Sequence, residues 1–184
     1  MHSLFDDRYP LHSIRPLHVD DFSAMNSINM DPFTVTFSDD YYASYLREWP
    51  EYCYSATATV GSMAGYMISK AVGHEDGDEE RHSHITAVTV AKEFRRTRVA
   101  SILIDHLEKL SEDDYEARFC DLFVRTDNEA AIKLYERLGY SVYRKILQYY
   151  SNGDAYDMRK PLKYDPEQKS LITGKRVITQ DEMD

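Results

Sequence analysis

Two polar side chains on one predicted helix have the types and spacing to hold an elongated ligand at one end and react with it at the other. Asn128 and Tyr135 are seven residues apart, so they share a helix face with Ala131 and Ile132. At about 1.5 Å per residue, they lie roughly 10 Å apart along the helix axis. A tyrosine whose pKa is near 10 keeps its proton at neutral pH, as a general acid must.

Capping residues mark both ends of this helix. A strand is predicted at 117–124, and the helix begins after Thr126 or Asp127, because either side chain can accept hydrogen bonds from the first helical turn. Gly139 is predicted to end the helix. Taken alone, the segment favours a plainer interpretation, an amphipathic helix whose Tyr135 hydroxyl only reaches solvent.

A second segment has the form of a strand, a turn and a helix, and it suits a phosphate group. Residues 84–91 are β-branched and apolar, and the apolar residues that follow have helical spacing, at Val99, Ile102, Leu103, Leu107 and Leu110. A helix is therefore predicted to start near Arg96. Its unpaired N–H groups, its positive dipole end and the nearby Arg95 and Arg98 would attract a pyrophosphate. The alternative is a solvated basic turn.

The motif N-x-x-A-x-x-x-Y-x-x-x-G-Y, read from Asn128 after a strand, and the turn at 95–100 resemble the acetyl-CoA-binding segments of the GNAT superfamily. The resemblance implies an α/β fold with a mixed central sheet flanked by helices. It implies acetyl-CoA as co-substrate and no metal, with Asn128 hydrogen-bonded to the pantetheine arm and Tyr135 donating a proton to the leaving thiolate. The implied cofactor-binding residues are Val88, Val90, Arg95, Arg96, Arg98, Val99, Ala100, Asn128 and Ala131.

One position departs from the GNAT pattern. Arg98 stands where the superfamily has a glycine, which lets the backbone approach phosphate closely. Arg98 therefore either turns its side chain outward or adds a charge to the phosphate site. This departure is the only support for a non-enzymatic alternative, a CoA-binding scaffold subunit.

A narrower resemblance covers residues 12 to 162. It is to the catalytic subunits of NatB-type N-terminal acetyltransferases, and it rests on the segments NMDPFT from Asn29, WPEY from Trp49, GYM from Gly65, DLFVR from Asp121, LGYSVYR from Leu138, YYS from Tyr149 and DAYDMRK from Asp154. It implies acetylation of the initiator methionine of nascent chains that start Met-Asp, Met-Glu, Met-Asn or Met-Gln. It also implies an auxiliary helical-repeat subunit, whose docking surface we expect on the first two helices, at Phe22, Met25, Ile28 and Tyr42.

The same resemblance suggests where a peptide would bind. His84 and Thr86 match positions that face the second residue of the substrate, and a histidine can donate to a carboxylate or to a side-chain amide. Tyr149 and Tyr150 would form the walls of the groove, unless they are only a cross-strand aromatic pair. Phe33 and Tyr66 are candidates for the apolar pocket of the methionine side chain.

The acceptor chemistry fits an α-amine better than a lysine. With a pKa near 8, roughly a tenth of α-amines are neutral at pH 7, against well under a thousandth of lysines. A strong catalytic base is then unnecessary, and none is obvious, because Glu93 lies in the turn and Asp121 begins a strand whose outward charge is more simply structural. A GNAT enzyme acting on lysines or small amines is the second hypothesis.

Composition limits the remaining possibilities. The 184 residues predict one GNAT domain at 12–161, preceded by an N-terminal extension at 1–11 and followed by a mobile, polar C-terminal tail at 162–184. A net charge of −10 argues against direct nucleic-acid binding, so contact with the ribosome is expected only through another subunit. No stretch has the length of a membrane span and no signal peptide is apparent, so we expect a cytoplasmic protein. Cys53 and Cys120 are predicted to be buried thiols.

Overall fold

The structure, a computed structural model, describes residues 12–29, 35–59, 61–73, 81–172 and 176–183. The strands and α-helices of these ranges are, in chain order, β1 (His12–Pro16), α1 (Phe22–Ile28), α2 (Asp39–Glu48), β2 (Cys53–Ala58), β3 (Met63–Val72), β4 (His82–Val90), α3 (Val99–Asp113), β5 (Phe119–Arg125), α4 (Glu129–Arg137), β6 (Ser141–Tyr150), β7 (Gly153–Pro161) and β8 (Val177–Thr179). The predicted extension at 1–11 lies outside the described residues.

The strands follow the order β1-β2-β3-β4-β5-β7-β6-β8 in one sheet. The sheet is mixed, because β6 and β8 are parallel whereas β1 and β2, β2 and β3, β5 and β7, and β6 and β7 are antiparallel. The predicted α/β class with a mixed central sheet is therefore confirmed. The chain divides into two compact units.

The first unit contains the described residues up to Ala71 together with Ile85–Leu107. Its helix α2 begins after Ser38, whose side chain accepts a hydrogen bond from the Tyr41 N–H at 3.3 Å. The core of this unit consists of Leu17, Met25, Tyr42, Tyr45, Cys53, Tyr66 and Ile68.

The docking surface expected on the first two helices includes two residues that belong to the core. Met25 and Tyr42 are completely buried, and Phe22 and Ile28 are partly buried and pack against the same core. The prediction is therefore wrong for Met25 and Tyr42, which stabilise the unit itself, and for Phe22 and Ile28 it stays a prediction. The sequence showed an apolar helix face but not which surface of the same chain covers it.

The second unit consists of the described residues of Val72–His84 and Glu108–Asp184. Strand β7 pairs with β5 on one side and β6 on the other, with Asp121 of β5 opposite Arg159 of β7. A small cluster of Ile146, Ala155 and Ile178 lies at β6, and Phe123, Tyr149, Tyr150 and Met183 pack against it.

The C-terminal segment is more ordered than the prediction of a mobile tail allowed. Strand β8 pairs with β6 from Lys145 to Leu147, and Ile178 at its centre is buried. The segment also packs Met183 against the cluster that includes Tyr149 and Tyr150. A three-residue strand is too short to show a period in sequence, so its pairing along the β6 edge could not be anticipated.

We expect Ile178→Ala to destabilise the protein, because it removes buried contacts that hold β8 against β6. The free energy of unfolding should fall by about 2 kcal/mol or more, as for other buried isoleucines. The matched control is Val177→Ala on the same strand, where the side chain is 46% exposed and little change is expected. Urea denaturation of both variants measures the difference, and equal effects would contradict the packing of Ile178.

Candidate active site

The predicted phosphate-binding turn has an unusual backbone. Helix α3 begins at Val99 rather than near Arg96, because Arg96 and Arg98 have φ angles of 66° and 71°, which no α-helix residue adopts. This left-handed region is the one that favours glycine. The turn therefore keeps a glycine-like backbone at Arg98 although the glycine of the superfamily is absent.

The side chains of this turn suit an anion. Arg95, Arg96 and Arg98 are all exposed, while the helix that follows starts with the buried Val99. The first N–H groups of an α-helix have no partner within the helix, and three guanidinium groups lie next to them in sequence. Of the other predicted cofactor-binding residues in this unit, Val88, Val90 and Ala100 are half-buried.

The left-handed backbone of Arg98 gives a stability prediction. Arg98→Gly should raise the free energy of unfolding by up to about 1 kcal/mol, because glycine adopts a positive φ without a Cβ clash. Arg95 provides the matched control, since its φ of −66° is ordinary and Arg95→Gly should instead be neutral or destabilising. Thermal denaturation of the two variants decides the point, and a lower melting temperature for Arg98→Gly would contradict it.

The first polar residue of the predicted catalytic helix caps the helix rather than lying within it. Helix α4 spans Glu129–Arg137, and the Asn128 Oδ1 atom accepts a hydrogen bond from the Ala131 N–H at 3.2 Å. The sequence had suggested Thr126 or Asp127 as the cap, and the structure corrects this to Asn128. Within the described part of the chain, the Asn128 amide N–H groups donate no hydrogen bond, so they can serve a ligand carbonyl.

The second polar residue, Tyr135, lies in a protected position. Its side chain is 8% exposed and packs edge-on against Tyr140, with the ring centroids 5.9 Å apart. Burial, and to a smaller extent the neighbouring Tyr150, raises the pKa of Tyr135 well above 10. Its hydroxyl forms no hydrogen bond with any described residue. A buried, protonated hydroxyl with its donor still available is suited to act as a general acid.

An aromatic row leads from β4 to the end of β6. The His84 ring lies edge-on to Phe123 with centroids 4.9 Å apart, and Phe123 lies edge-on to Tyr149 at 5.1 Å. Tyr149 and Tyr150 are perpendicular at 5.0 Å, and the Tyr150 hydroxyl donates to the Phe123 carbonyl at 3.3 Å. Burial raises the pKa of Tyr150 to about 12.

Tyr149 and Tyr150 lie at an irregularity in β6. The pairing of β6 with β7 shifts register between Ile146 and Tyr150, and Gln148 within that stretch has a φ of 52°. The Gln148 N–H donates to the Asp154 carboxylate at 2.9 Å, which holds the distortion in place. Such a bulge changes the direction of neighbouring side chains, and regular alternation along β6 would not have predicted it.

His84 is paired with a buried carboxylate. The His84 Nδ1 atom lies 2.8 Å from the Asp121 Oδ1 atom, and the His82 Nε2 atom lies 3.8 Å from the same oxygen. Asp121 is buried, which corrects the expectation that its charge points outward. Burial raises the pKa of Asp121, but His84, His82 and Arg159 together outweigh this effect and lower it below its usual value.

The remaining predicted substrate residues have different surroundings. The Thr86 hydroxyl lies 2.9 Å from the Tyr45 hydroxyl. Tyr66 has no exposed surface, and its hydroxyl donates to the Asn29 side chain at 2.7 Å, so it supports the core rather than lining a pocket. Phe33 lies outside the described residues.

A buried ionic network that the sequence did not indicate lies beside Asp121. Asp157 has no exposed surface and pairs with the Arg144 Nε atom at 2.9 Å and with the Arg159 Nε atom at 3.3 Å. Arg159 also lies over the Tyr143 ring, 3.6 Å from its centroid. Arg159 lies opposite Asp121 because β5 pairs with β7, and the sequence did not predict that pairing.

Cys53 and Cys120 are both buried free thiols, as predicted, and burial raises the pKa of Cys53 to about 12. No cluster of three or more potential metal-ligating side chains occurs among the described residues. None of the helices in the described ranges is both long and apolar enough to cross a membrane.

Comparison with known proteins decides the family. Residues 22–140 match the model of the Acetyltransferase (GNAT) family. The chain is 43% identical to the N-terminal acetyltransferase B complex catalytic subunit NAA20 of Arabidopsis thaliana over 94% of its length and 98% of the relative's. It is 44% identical to N-alpha-acetyltransferase 20 of Dictyostelium discoideum, over 90% of this chain and 95% of that one.

The chain belongs to the family of NatB catalytic subunits. A solved NatB acetyltransferase complex bound to a bisubstrate inhibitor is similar in structure, with a TM-score of 0.80, 36% identity and coverage of 94% of this chain and 99% of the other. As a NatB-family member, the chain is an N-terminal acetyltransferase with the GNAT fold. The turn at 95–100 and α4 lie within the segment common to GNAT proteins, whereas Tyr149 and Tyr150 lie beyond it.

Proposed function

We propose that this enzyme transfers an acetyl group from acetyl-CoA to the α-amine of initiator methionines in chains that begin Met-Asp, Met-Glu, Met-Asn or Met-Gln. The observation that carries the proposal is the likeness to NatB catalytic subunits along nearly the whole chain. The solved NatB complex with a bisubstrate inhibitor supports a site in which donor and acceptor are held together.

The residues present fit acetyl-CoA. The exposed guanidinium groups of Arg95, Arg96 and Arg98 and the start of α3 suit its pyrophosphate. The Asn128 amide has donors available for a pantetheine carbonyl, with Ala131 one helical turn further on. Acetyl-CoA, when bound, supplies an activated thioester.

Tyr135 would act at the leaving group. After the α-amine attacks the thioester carbonyl, the carbon–sulfur bond breaks and the sulfur needs a proton. The Tyr135 hydroxyl is the general acid that we assign to this step, because it is buried against Tyr140, forms no hydrogen bond with the described residues and holds its proton at neutral pH. The amine needs no strong base for its attack, since a useful fraction of α-amines is already neutral. The proton that the nitrogen loses as the amide forms passes to water, from which Tyr135 regains its own.

The peptide would lie along the aromatic row. Tyr149 and Tyr150 would form the walls of the groove, and His84 with Thr86 would contact the second residue of the substrate. The row from His84 through Phe123 to Tyr149 is continuous, which supports a groove that accepts an extended peptide end. Phe33 remains the candidate for the methionine pocket.

We further propose that the enzyme works in the cytoplasm as part of a NatB complex, with an auxiliary helical-repeat subunit. Relatives are named as subunits of N-terminal acetyltransferase B complexes, which supports this assembly. Nascent chains would be the substrates. Contact with the ribosome would be indirect, because the net charge of −10 disfavours binding to RNA.

Initial rates on matched peptides test the substrate assignment. The complete chain, co-expressed with its auxiliary subunit, is assayed on peptides that differ only at the start: Met-Asp, Met-Asn, Met-Leu and Ser-Glu. A fifth peptide has a blocked N-terminus and an internal lysine. We expect selective turnover of Met-Asp and Met-Asn, whereas equal rates on Met-Leu or a preference for the blocked lysine peptide would overturn the proposal.

A further inference from the structure

The His84–Asp121 pair determines which nitrogen of the His84 ring carries a proton. Asp121 is 4% exposed, and its lowered pKa keeps it ionised at neutral pH. An ionised carboxylate can only accept hydrogen bonds, so the His84 Nδ1 atom, 2.8 Å from Oδ1, must be the donor. The tautomer of the neutral ring is therefore fixed, with hydrogen on Nδ1.

The other ring nitrogen then changes its role with protonation. In the neutral ring, Nε2 has a lone pair and accepts a hydrogen bond, whereas in the imidazolium it donates one. Within the described ranges, Nε2 has no hydrogen-bond partner, and 14% of the His84 side chain is exposed. This atom is available to a ligand, as an acceptor or a donor according to pH.

The charges around the pair reinforce the change. With His84 neutral, the pair carries one negative charge, which repels a second carboxylate, and with His84 protonated the pair is neutral. Among the described residues, the other charged or titratable groups that interact with Asp121 are His82 on β4, Cys120 on β5, and Arg159 and Asp157 on β7. Asp157 forms ion pairs with Arg159 and with Arg144 of β6, so the positive charge of Arg159 is partly compensated within the network.

We propose that Asp121 and His84 together make the choice between acidic and amide second residues dependent on pH. An Asp or Glu side chain offers only acceptors, so it requires the His84 imidazolium. An Asn or Gln side chain offers both donors and acceptors, so it fits either form of the ring. Asp121 is a positioning residue in this scheme, and the inference rests on the proposed function, in which His84 contacts the second residue.

The kcat/KM for a Met-Asp peptide divided by that for a Met-Asn peptide measures the choice between acidic and amide second residues directly. Both peptides have the same α-amine, the same acetyl-CoA and the same general acid, so their pH dependences largely cancel in the ratio. In assays from roughly pH 5 to pH 8, we expect the ratio to fall by up to ten-fold per pH unit as the imidazolium form of the ring is lost. A ratio that stays constant or rises with pH would overturn the inference.

Two variants separate the roles of the pair. Asp121→Asn keeps an oxygen that can accept from Nδ1 but removes the charge, so the ratio at pH 7 should fall about ten-fold, the size of a charge-assisted hydrogen bond. His84→Gln cannot titrate, so its ratio should no longer change with pH. Asp113→Asn, at an exposed carboxylate 3.8 Å from Lys163, is the matched control and should behave as the wild type.

Failure of the inference can be told apart from failure of the proposed function. If Met-Asp and Met-Asn are both preferred over Met-Leu but their ratio ignores pH, only the role of the His84–Asp121 pair is refuted. If neither is preferred over Met-Leu, the substrate assignment itself is refuted, and the inference with it. The wild-type pH profile needs no variant, so poor folding of Asp121→Asn would not leave the question open.

Discussion

Tyr135→Phe should lower kcat by about 10²-fold or more, the usual contribution of a general acid, with little change in the KM for acetyl-CoA. The substitution removes only the hydroxyl, which forms no hydrogen bond with the described residues. The ring and its packing against Tyr140 remain, so the fold should be unaffected. Steady-state kinetics with a Met-Asp peptide give both constants.

Tyr140→Phe is the matched control. Tyr140 is a buried tyrosine whose hydroxyl interacts with the Glu108 side chain, and its ring packs against that of Tyr135. Because no proton transfer is assigned to it, kcat should stay within about two-fold of the wild type. Equal losses in the two variants would show that the effect comes from packing and would remove the general-acid role of Tyr135.

The raised pKa of Tyr135 adds a prediction about pH. Because the buried hydroxyl stays protonated beyond pH 10, its ionisation should cause no loss of kcat between pH 7 and pH 10. In that range a rising fraction of neutral α-amine should instead increase the rate towards a plateau. A fall in kcat within this interval, with the protein still folded, would contradict the assignment.

Asp157→Ala should be the most destabilising of the substitutions considered. It leaves Arg159, which is 8% exposed, without the carboxylate that faces it in β7. Loss of one partner of a buried ion pair costs about 3 to 5 kcal/mol, because the remaining charge is not solvated. Arg144 loses its 2.9 Å contact in the same substitution. Urea denaturation measures the loss.

Two further variants serve as controls for Asp157→Ala, one at the same position and one at an exposed ion pair. Burial raises the pKa of Asp157, although Arg159 lowers it. The Asp157 carboxylate therefore stabilises the fold because it pairs with buried arginine side chains whose charges would otherwise be unpaired. Asp157→Asn retains an acceptor and should cost less than Asp157→Ala. Glu129→Ala breaks an exposed pair with Lys133 and should change the free energy of unfolding by less than about 0.5 kcal/mol. A similar loss in all three variants would contradict the network.

Local signals in the sequence predicted much of the fold. The predicted strands at 84–91 and 117–124 correspond to β4 and β5, and the apolar spacing from Val99 to Leu110 lies within α3. Each of these depends on residues within one element. The motif from Asn128 and the turn at 95–100 indicated the GNAT fold, which the structure and the relatives confirm.

The errors came where distant residues decide the outcome. Helix α3 begins later than predicted, because Arg96 and Arg98 have φ angles in the left-handed region. Such angles are rare for arginine and have no signal in the sequence. Asp121 was expected to point outward, but its partners His84 and Arg159 come from other strands. The short strand β8 is stabilised by pairing with β6, which its own composition does not reveal.

The most direct test of the central claim uses one peptide that starts Met-Asp and contains a single internal lysine, with both amines free. The complete enzyme with its auxiliary subunit acetylates it at limiting conversion, and tandem mass spectrometry locates the acetyl group. We predict that essentially all of it lies on the methionine α-amine. Acetylation mainly on the lysine would contradict an N-terminal acetyltransferase built on Tyr135, Asn128 and the aromatic row.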